Sequence, residues 1–174
     1  MTLDSSMIHE FFDAAQAGDA ARLEELMKNH PHLANTANSD GLTPLGYAAH
    51  FGQREAVRAL LDHNADVNAV SRSKISYIPS NTALHAAISG ARNLEVIRLL
   101  LARHAKTDLL DSNGHTCLHT AAFHEDNREI IELLIEHSAD VNTRTKDGES
   151  PLSLAIKQGN HLVAELLREH GALL

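Results

Sequence analysis

GLTPLGYAAHFG, at residues 41–52, recurs in altered form as GHTCLHTAAFHE at 114–125 and as GESPLSLAIKQG at 148–159. A shorter copy, NTALHAAISG, begins at Asn81, and Ser80 stands in the place of the first glycine. The leucine four residues after that place recurs at intervals of 39, 34 and 34 residues. Self-similarity at such a period is typical of repeat architectures, in which each copy forms one supersecondary unit.

Each copy carries the residues that close a turn and then begin a helix. A glycine after Asp or Asn suits a tight turn with positive φ, and it occurs as Gly41, Gly114 and Gly148. A hydroxyl group two residues later can cap a helix, and it occurs in Thr43, Thr82, Thr116 and Ser150. Pro44 and Pro151 then occupy the first helical position, where no amide hydrogen is needed.

The pattern predicts two helices in every copy. The first carries a pair of small or aliphatic residues that lets neighbouring helices approach closely: Ala48–Ala49, Ala87–Ile88, Ala121–Ala122 and Ala155–Ile156. The second has apolar residues at helical spacing, as in Val57, Leu60 and Leu61. A weaker copy, FFDAAQAGDAARLEELM, begins at Phe11. Because one unit cannot bury its apolar faces alone, the copies should stack on one another.

The succession G-x-T-P-L-H-x-A-A-x-x-G, V-x-x-L-L and G-A-D-V-N-A resembles the ankyrin repeat, and the resemblance covers nearly the whole chain. It implies an all-α fold, an ankyrin-repeat solenoid of about five helix-turn-helix units joined by β-turn fingers. We expect a single domain over residues 1–174. Its repeats are expected at about 6–38 (the N-terminal cap), 39–70, 71–110, 111–143 and 144–174.

The resemblance also implies a function, because ankyrin proteins generally hold partner proteins on a concave face of turn tips and first helices. We therefore expect an adaptor or inhibitor that binds another protein. The first helices would contribute His50, Phe51, Ser89, Phe123, His124 and Lys157. The turn tips would contribute Asn113, His115 and Lys146. The alternative is a structural or self-assembling array without a dedicated partner.

The third repeat has an extended turn, SRSKISYIPS at residues 71–80, which we call the finger. We expect it to expose Ile75, Tyr77 and Ile78 beside Arg72 and Lys74. A long turn with apolar residues at its tip either contacts a partner or folds back on the array. We favour partner contact; the alternative is a tolerated insertion without a role.

Charge and aromatic residues are unevenly distributed. Residues 71–110 hold six basic and two acidic residues, whereas 111–143 hold one basic and seven acidic residues. This suggests a partner with both signs or an acidic segment over the third repeat, unless the basic residues are merely solvated. Phe51, Tyr77 and Phe123 fall at positions expected to bind, where aromatic residues are favoured anchors. Alternatively, Phe51 and Phe123 pack on adjacent helices.

Catalytic and metal chemistry find little support in the sequence. No organised nucleophile and no phosphate-binding glycine loop occurs, so we expect no enzymatic activity, no catalytic residue and no cofactor. The best histidine cluster is His115, Cys117, His119 and His124. In ankyrin repeats the histidine at the place of His85 and His119 typically bonds backbone across neighbouring turns, so we expect no metal site.

Composition narrows the expected setting and partners. The net charge of −8 disfavours nucleic-acid binding, because an acidic surface repels phosphate. No apolar stretch approaches the length that spans a bilayer, and Cys117 is the only cysteine. The opening residues lack a basic flank and an apolar run. We therefore expect a cytoplasmic monomer that does not enter membranes.

Overall fold

The computed structural model describes residues 4–174 of the chain. Within this range the protein is entirely helical, with ten α-helices, a short 3₁₀ helix at Pro31–Asn35 and no strand. The all-α class predicted from the repeat is confirmed. The chain forms two compact units, an N-terminal one that ends at Ala105 and a C-terminal one that begins at Lys106.

Three helix pairs build the N-terminal unit. Its helices are α1 (Ser5–Ala17), α2 (Ala20–Asn29), α3 (Pro44–His50), α4 (Arg54–Asp62), α5 (Ala83–Ser89) and α6 (Leu94–Ala102). The first helices of the pairs pack in the order α1, α3 and α5, and the second helices in the order α2, α4 and α6. Each pair therefore covers the apolar side of the pair before it, as the stacking of repeats requires.

Two helix pairs build the C-terminal unit. Its helices are α7 (Cys117–His124), α8 (Arg128–Glu136), α9 (Pro151–Gln158) and α10 (His161–Glu169). Here α7 packs on α9 and α8 packs on α10, so first helix again meets first helix.

The predicted helix starts are confirmed in all four copies. The hydroxyl oxygens of Thr43, Thr82, Thr116 and Ser150 each accept a hydrogen bond from the backbone N–H three residues later. Pro44 and Pro151 occupy first helical positions, as predicted. The turn glycines also have the expected positive φ, at 79°, 77° and 82° for Gly41, Gly114 and Gly148.

The small-residue pairs are buried, with one exception. Seven of the eight side chains in these pairs, from Ala48 to Ala155, are at most 5% exposed. Ile156 is 43% exposed, so the expectation that it packs between helices is wrong. The reason is that, within residues 4–174, no further first helix packs on the side of α9 that carries Ile156.

Candidate protein-binding surface

The base of the finger is held by backbone hydrogen bonds to the preceding turn. Arg72 N–H donates to the carbonyl oxygen of Gly41 at 3.0 Å, and Lys74 N–H donates to that of Asp40 at 2.9 Å. Ser71 is buried, and its N–H donates to the carbonyl oxygen of Asn81 at 2.9 Å. The finger is thus anchored on both sides, although it contains no regular secondary structure.

The tip of the finger exposes Tyr77 but not the two isoleucines. Ile78 N–H donates to the carbonyl oxygen of Ile75 at 3.0 Å and closes a turn around Tyr77. Tyr77 is 84% exposed, as expected. The expected exposure of Ile75 and Ile78 is wrong, since both are half-buried at the two ends of this turn. Only the tyrosine, inside the turn, extends fully into solvent.

The cationic residues of the finger are exposed. Among residues 4–174, no carboxylate oxygen lies within 4.0 Å of the side-chain nitrogens of Arg72 or Lys74. Three other arginines of this unit are paired: Arg54 with Glu55, Arg98 with Glu95 and Arg103 with Asp62. The two finger cations therefore keep their charge available to a ligand.

An aromatic chain runs from the core of the N-terminal unit to its surface. Phe12 is buried and meets Tyr47 edge to face, with ring centroids 5.2 Å apart. Tyr47 meets Phe51 in the same way at 5.1 Å. Phe51 remains 38% exposed, and the exposed His50 packs against it. Phe51 thus packs on Tyr47 of the helix that it caps, and the rest of its ring faces solvent.

The end of α5 is fitted closely against α3. A Cβ atom added at Gly90 would lie 2.3 Å from the carbonyl oxygen of His50 and 2.6 Å from its Nδ1. Ser89 is half-buried, and its hydroxyl donates to the carbonyl oxygen of His85 at 2.9 Å. The predicted site residue Ser89 therefore offers a surface contact but not a free hydroxyl donor.

In the C-terminal unit Glu149, another residue of the turn tips, joins two of the predicted site residues. The carboxylate of Glu149 lies 3.5 Å from Lys157 Nζ and 3.9 Å from His115 Nε2. Glu149 and His115 both follow the turn glycine of their repeats, one period apart. Residues at the same place in successive repeats become neighbours, and this is the signal that could have predicted the contact between Glu149 and His115.

The remaining predicted residues of the C-terminal unit are exposed. Phe123 is 43% exposed and meets His124 edge to face, with ring centroids 5.4 Å apart. Asn113 and Lys146 lie exposed in their turns. The Asn113 N–H donates to Asp111 Oδ1 at 2.9 Å, which fixes the turn that presents its side chain.

The histidine cluster does not form a metal site in the part of the chain that the structure describes. No group of three or more His, Cys, Asp or Glu side chains is arranged to hold an ion in residues 4–174. Cys117 is fully buried. His119 is also buried, and its Nε2 lies 3.1 Å from the carbonyl oxygen of Glu149 in the next turn. This contact across neighbouring turns confirms the structural role expected for that histidine.

Burial lowers the pKa of His119 below its usual value. The hydrogen bond to the Glu149 carbonyl opposes this effect on the pKa, and the adjacent His115 reinforces it. Within residues 4–174, no helix has the length and apolar character needed to cross a membrane.

Comparison with known proteins places the repeats in a family. A family model described as ankyrin repeats in three copies matches the chain twice, at residues 11–111 and 84–174. The chain belongs to the ankyrin repeat family. Ankyrin repeats are in general protein–protein interaction modules, and the family is generally non-catalytic.

Several ankyrin repeat relatives align with most of the chain. The E3 ubiquitin-protein ligase XB3 of Oryza sativa subsp. japonica is 37% identical over 179 residues, covering 95% of this chain and 38% of the relative. An ankyrin repeat protein of fowlpox virus is 33% identical over 135 residues, covering 75% and 38%. Ankyrin repeat and SAM domain-containing protein 6 of Rattus norvegicus is 33% identical over 107 residues, covering 62% and 11%. The chain thus spans at most 38% of the length of these relatives.

Proposed function

We propose that this ankyrin repeat chain is an adaptor or inhibitor that binds a partner protein through its turn tips and the exposed sides of its first helices. The observation that carries the proposal is the presence of exposed aromatic side chains on fixed backbone at these places. Tyr77 stands on the anchored finger, and Phe51 is held by Tyr47. Aromatic anchors that are already ordered lose little entropy on binding, which favours affinity.

Each unit contributes its own part of the proposed surface. In the N-terminal unit the proposed contacts are His50, Phe51, Ser89 and the finger residues Arg72, Lys74, Ile75, Tyr77 and Ile78. In the C-terminal unit they are Asn113, His115, Phe123, His124, Lys146 and Lys157. The half-buried Ile75 and Ile78 would serve mainly by supporting Tyr77.

The test removes the three aromatic anchors together. The variant Phe51→Ala/Tyr77→Ala/Phe123→Ala should lose partner capture from a native cell extract by at least about tenfold, as expected for loss of interface hot spots. The matched control is Leu162→Ala/Leu173→Ala/Leu174→Ala, whose side chains are 49%, 67% and 72% exposed and lie outside the proposed surface. Far-UV circular dichroism verifies that both variants stay helical. Undiminished capture by the aromatic variant, or equal loss in the control, would reject the proposal.

A self-assembling array is the second candidate, and the exposed apolar residues of the last repeat favour it. Ile156, Leu162, Leu173 and Leu174 are all at least 43% exposed. We propose a monomer, so sedimentation equilibrium should give one chain mass over a wide concentration range. Concentration-dependent assembly that Leu162→Ala/Leu173→Ala/Leu174→Ala abolishes would instead favour the second candidate.

A further inference from the structure

The finger differs from the other turns in its charge. Residues 71–80 contain Arg72 and Lys74 and no acidic residue, in a chain whose net charge is −8. Asp40 is the acidic residue bonded to the base of the finger, and it takes the Lys74 N–H through its backbone carbonyl. In residues 4–174 its carboxylate is not within 4.0 Å of either cationic group. The two cations of the finger are therefore not ion-paired with any described carboxylate.

The finger also has a fixed backbone. In addition to the bonds to Gly41 and Asp40, the Ser73 N–H donates to Ser80 Oγ at 3.0 Å, and the Asn81 N–H donates to Ser71 Oγ at 3.0 Å. These bonds join the two limbs of the finger near its base. A ligand that binds here gains charge interactions without first ordering the loop, and so avoids much of the entropic cost of association.

We propose that the finger binds an extended acidic segment of the partner protein. Carboxylates of the segment pair with Arg72, whose guanidinium can bind them in bidentate fashion, and with Lys74. An apolar or aromatic side chain of the segment packs on the ring of Tyr77, which is 84% exposed. This inference rests on the proposed function and specifies the chemistry of the partner.

A protein segment fits this site better than a nucleic acid. A phosphate backbone near the finger would also meet the acidic surface of a chain with net charge −8, which repels it over distances comparable to the Debye length. A short acidic peptide needs only the finger itself, and its side chains can reach both the cations and Tyr77.

The test selects peptides from a phage-displayed library of random dodecamers on the complete chain. The selection is repeated on Arg72→Glu/Lys74→Glu and on the control Lys28→Glu/Arg168→Glu, which reverses two exposed helix cations. Peptides that bind the natural chain and the control, but not the finger variant, should be enriched in Asp and Glu. Synthetic copies should bind the finger variant at least tenfold more weakly, with affinity that falls as salt rises.

Three results would overturn the inference. The first is that no peptides depend on the two finger cations. The second is that those peptides carry no excess of acidic residues. The third is that a fluorescent dodecathymidylate binds through the same two cations at least as tightly, which would assign the site to nucleic acid. If Arg72→Glu/Lys74→Glu captures the partner normally while the aromatic variant does not, the proposed function holds and this inference fails.

Discussion

The imidazole of His119 is bonded at both ring nitrogens. Its Nδ1 accepts from the Thr116 N–H at 3.3 Å, and its Nε2–H donates to the Glu149 carbonyl oxygen at 3.1 Å. The Thr116 hydroxyl oxygen lies closer still, 2.8 Å from Nδ1, and can donate its proton to the neutral ring. Burial disfavours the charged ring and is the main cause of the lowered pKa.

We predict that His119 makes the protein less stable in mild acid. Because its pKa is lower in the folded than in the unfolded chain, its contribution is complete above the unfolded value of 6.5. As the pH falls below that value, the unfolded chain binds a proton that the folded chain resists, so the free energy of unfolding decreases until the folded pKa is passed.

The measurement is urea denaturation at about pH 7.5 and about pH 5. The free energy of unfolding should fall less between the two pH values in His119→Gln than in the natural chain. In the control His9→Gln, which changes an exposed histidine, it should fall as much as in the natural chain. His119→Gln should also cost about 1–3 kcal/mol near neutral pH, through the disturbed buried hydrogen bonds. An unchanged pH dependence in His119→Gln would contradict this account of the histidine.

Among the elements, the turns are of two kinds. The short turns are closed by one of their own side chains: Asn38 Oδ1 accepts from the Leu42 N–H at 3.0 Å, and Asp111 Oδ1 accepts from the His115 N–H at 2.9 Å. The finger is longer: two serine side chains join its limbs, and backbone hydrogen bonds to the preceding turn hold its base. Its position therefore depends on Gly41, which carries the carbonyl that accepts from Arg72.

Alanine at Gly41 should displace the finger. Gly41 has φ of 79°, and an added Cβ would lie 1.9 Å from the Arg72 carbonyl oxygen. Gly148 has φ of 82° with no atom within 4 Å of an added Cβ, so Gly148→Ala measures the backbone strain alone. We expect Gly148→Ala to lower the free energy of unfolding by about 1–2 kcal/mol. Gly41→Ala should lower it by a further ~1–3 kcal/mol, because of the clash with Arg72. If the two variants lost the same free energy of unfolding, the close contact between Gly41 and the base of the finger would be contradicted.

The helix starts could be predicted because their causes are local. A cap, a proline and a turn glycine act within a few residues, and the sequence shows their spacing directly. Exposure is harder to predict, because it depends on which residues lie nearby in space. The turn at the tip of the finger leaves Ile75 and Ile78 half-buried, and Ile156 is exposed because no neighbouring first helix covers it. The pairing of Glu149 with Lys157 and His115 joins residues of two repeats, so it requires the register of one repeat on the next.

At the scale of the molecule, two of the described second helices carry an arginine that is paired within the helix. Arg22 pairs with Glu25 at 2.8 Å on α2, and Arg98 pairs with Glu95 at 2.7 Å on α6. Exposed pairs of this kind add little stability but leave little charge for a partner. The exposed aromatic rings of the N-terminal unit lie instead on the finger, beside Arg72 and Lys74, and at the end of α3. These rings mark the proposed binding side.

Hydrogen–deuterium exchange of the chain alone and with its captured partner tests the proposed binding side most directly. We predict that the partner slows amide exchange in residues 38–51, in the finger and around Asn113 to His124, and leaves α4, α6, α8 and α10 unchanged. Slowing confined to those second helices would contradict the account, because it would place the partner away from the exposed aromatic rings and the finger.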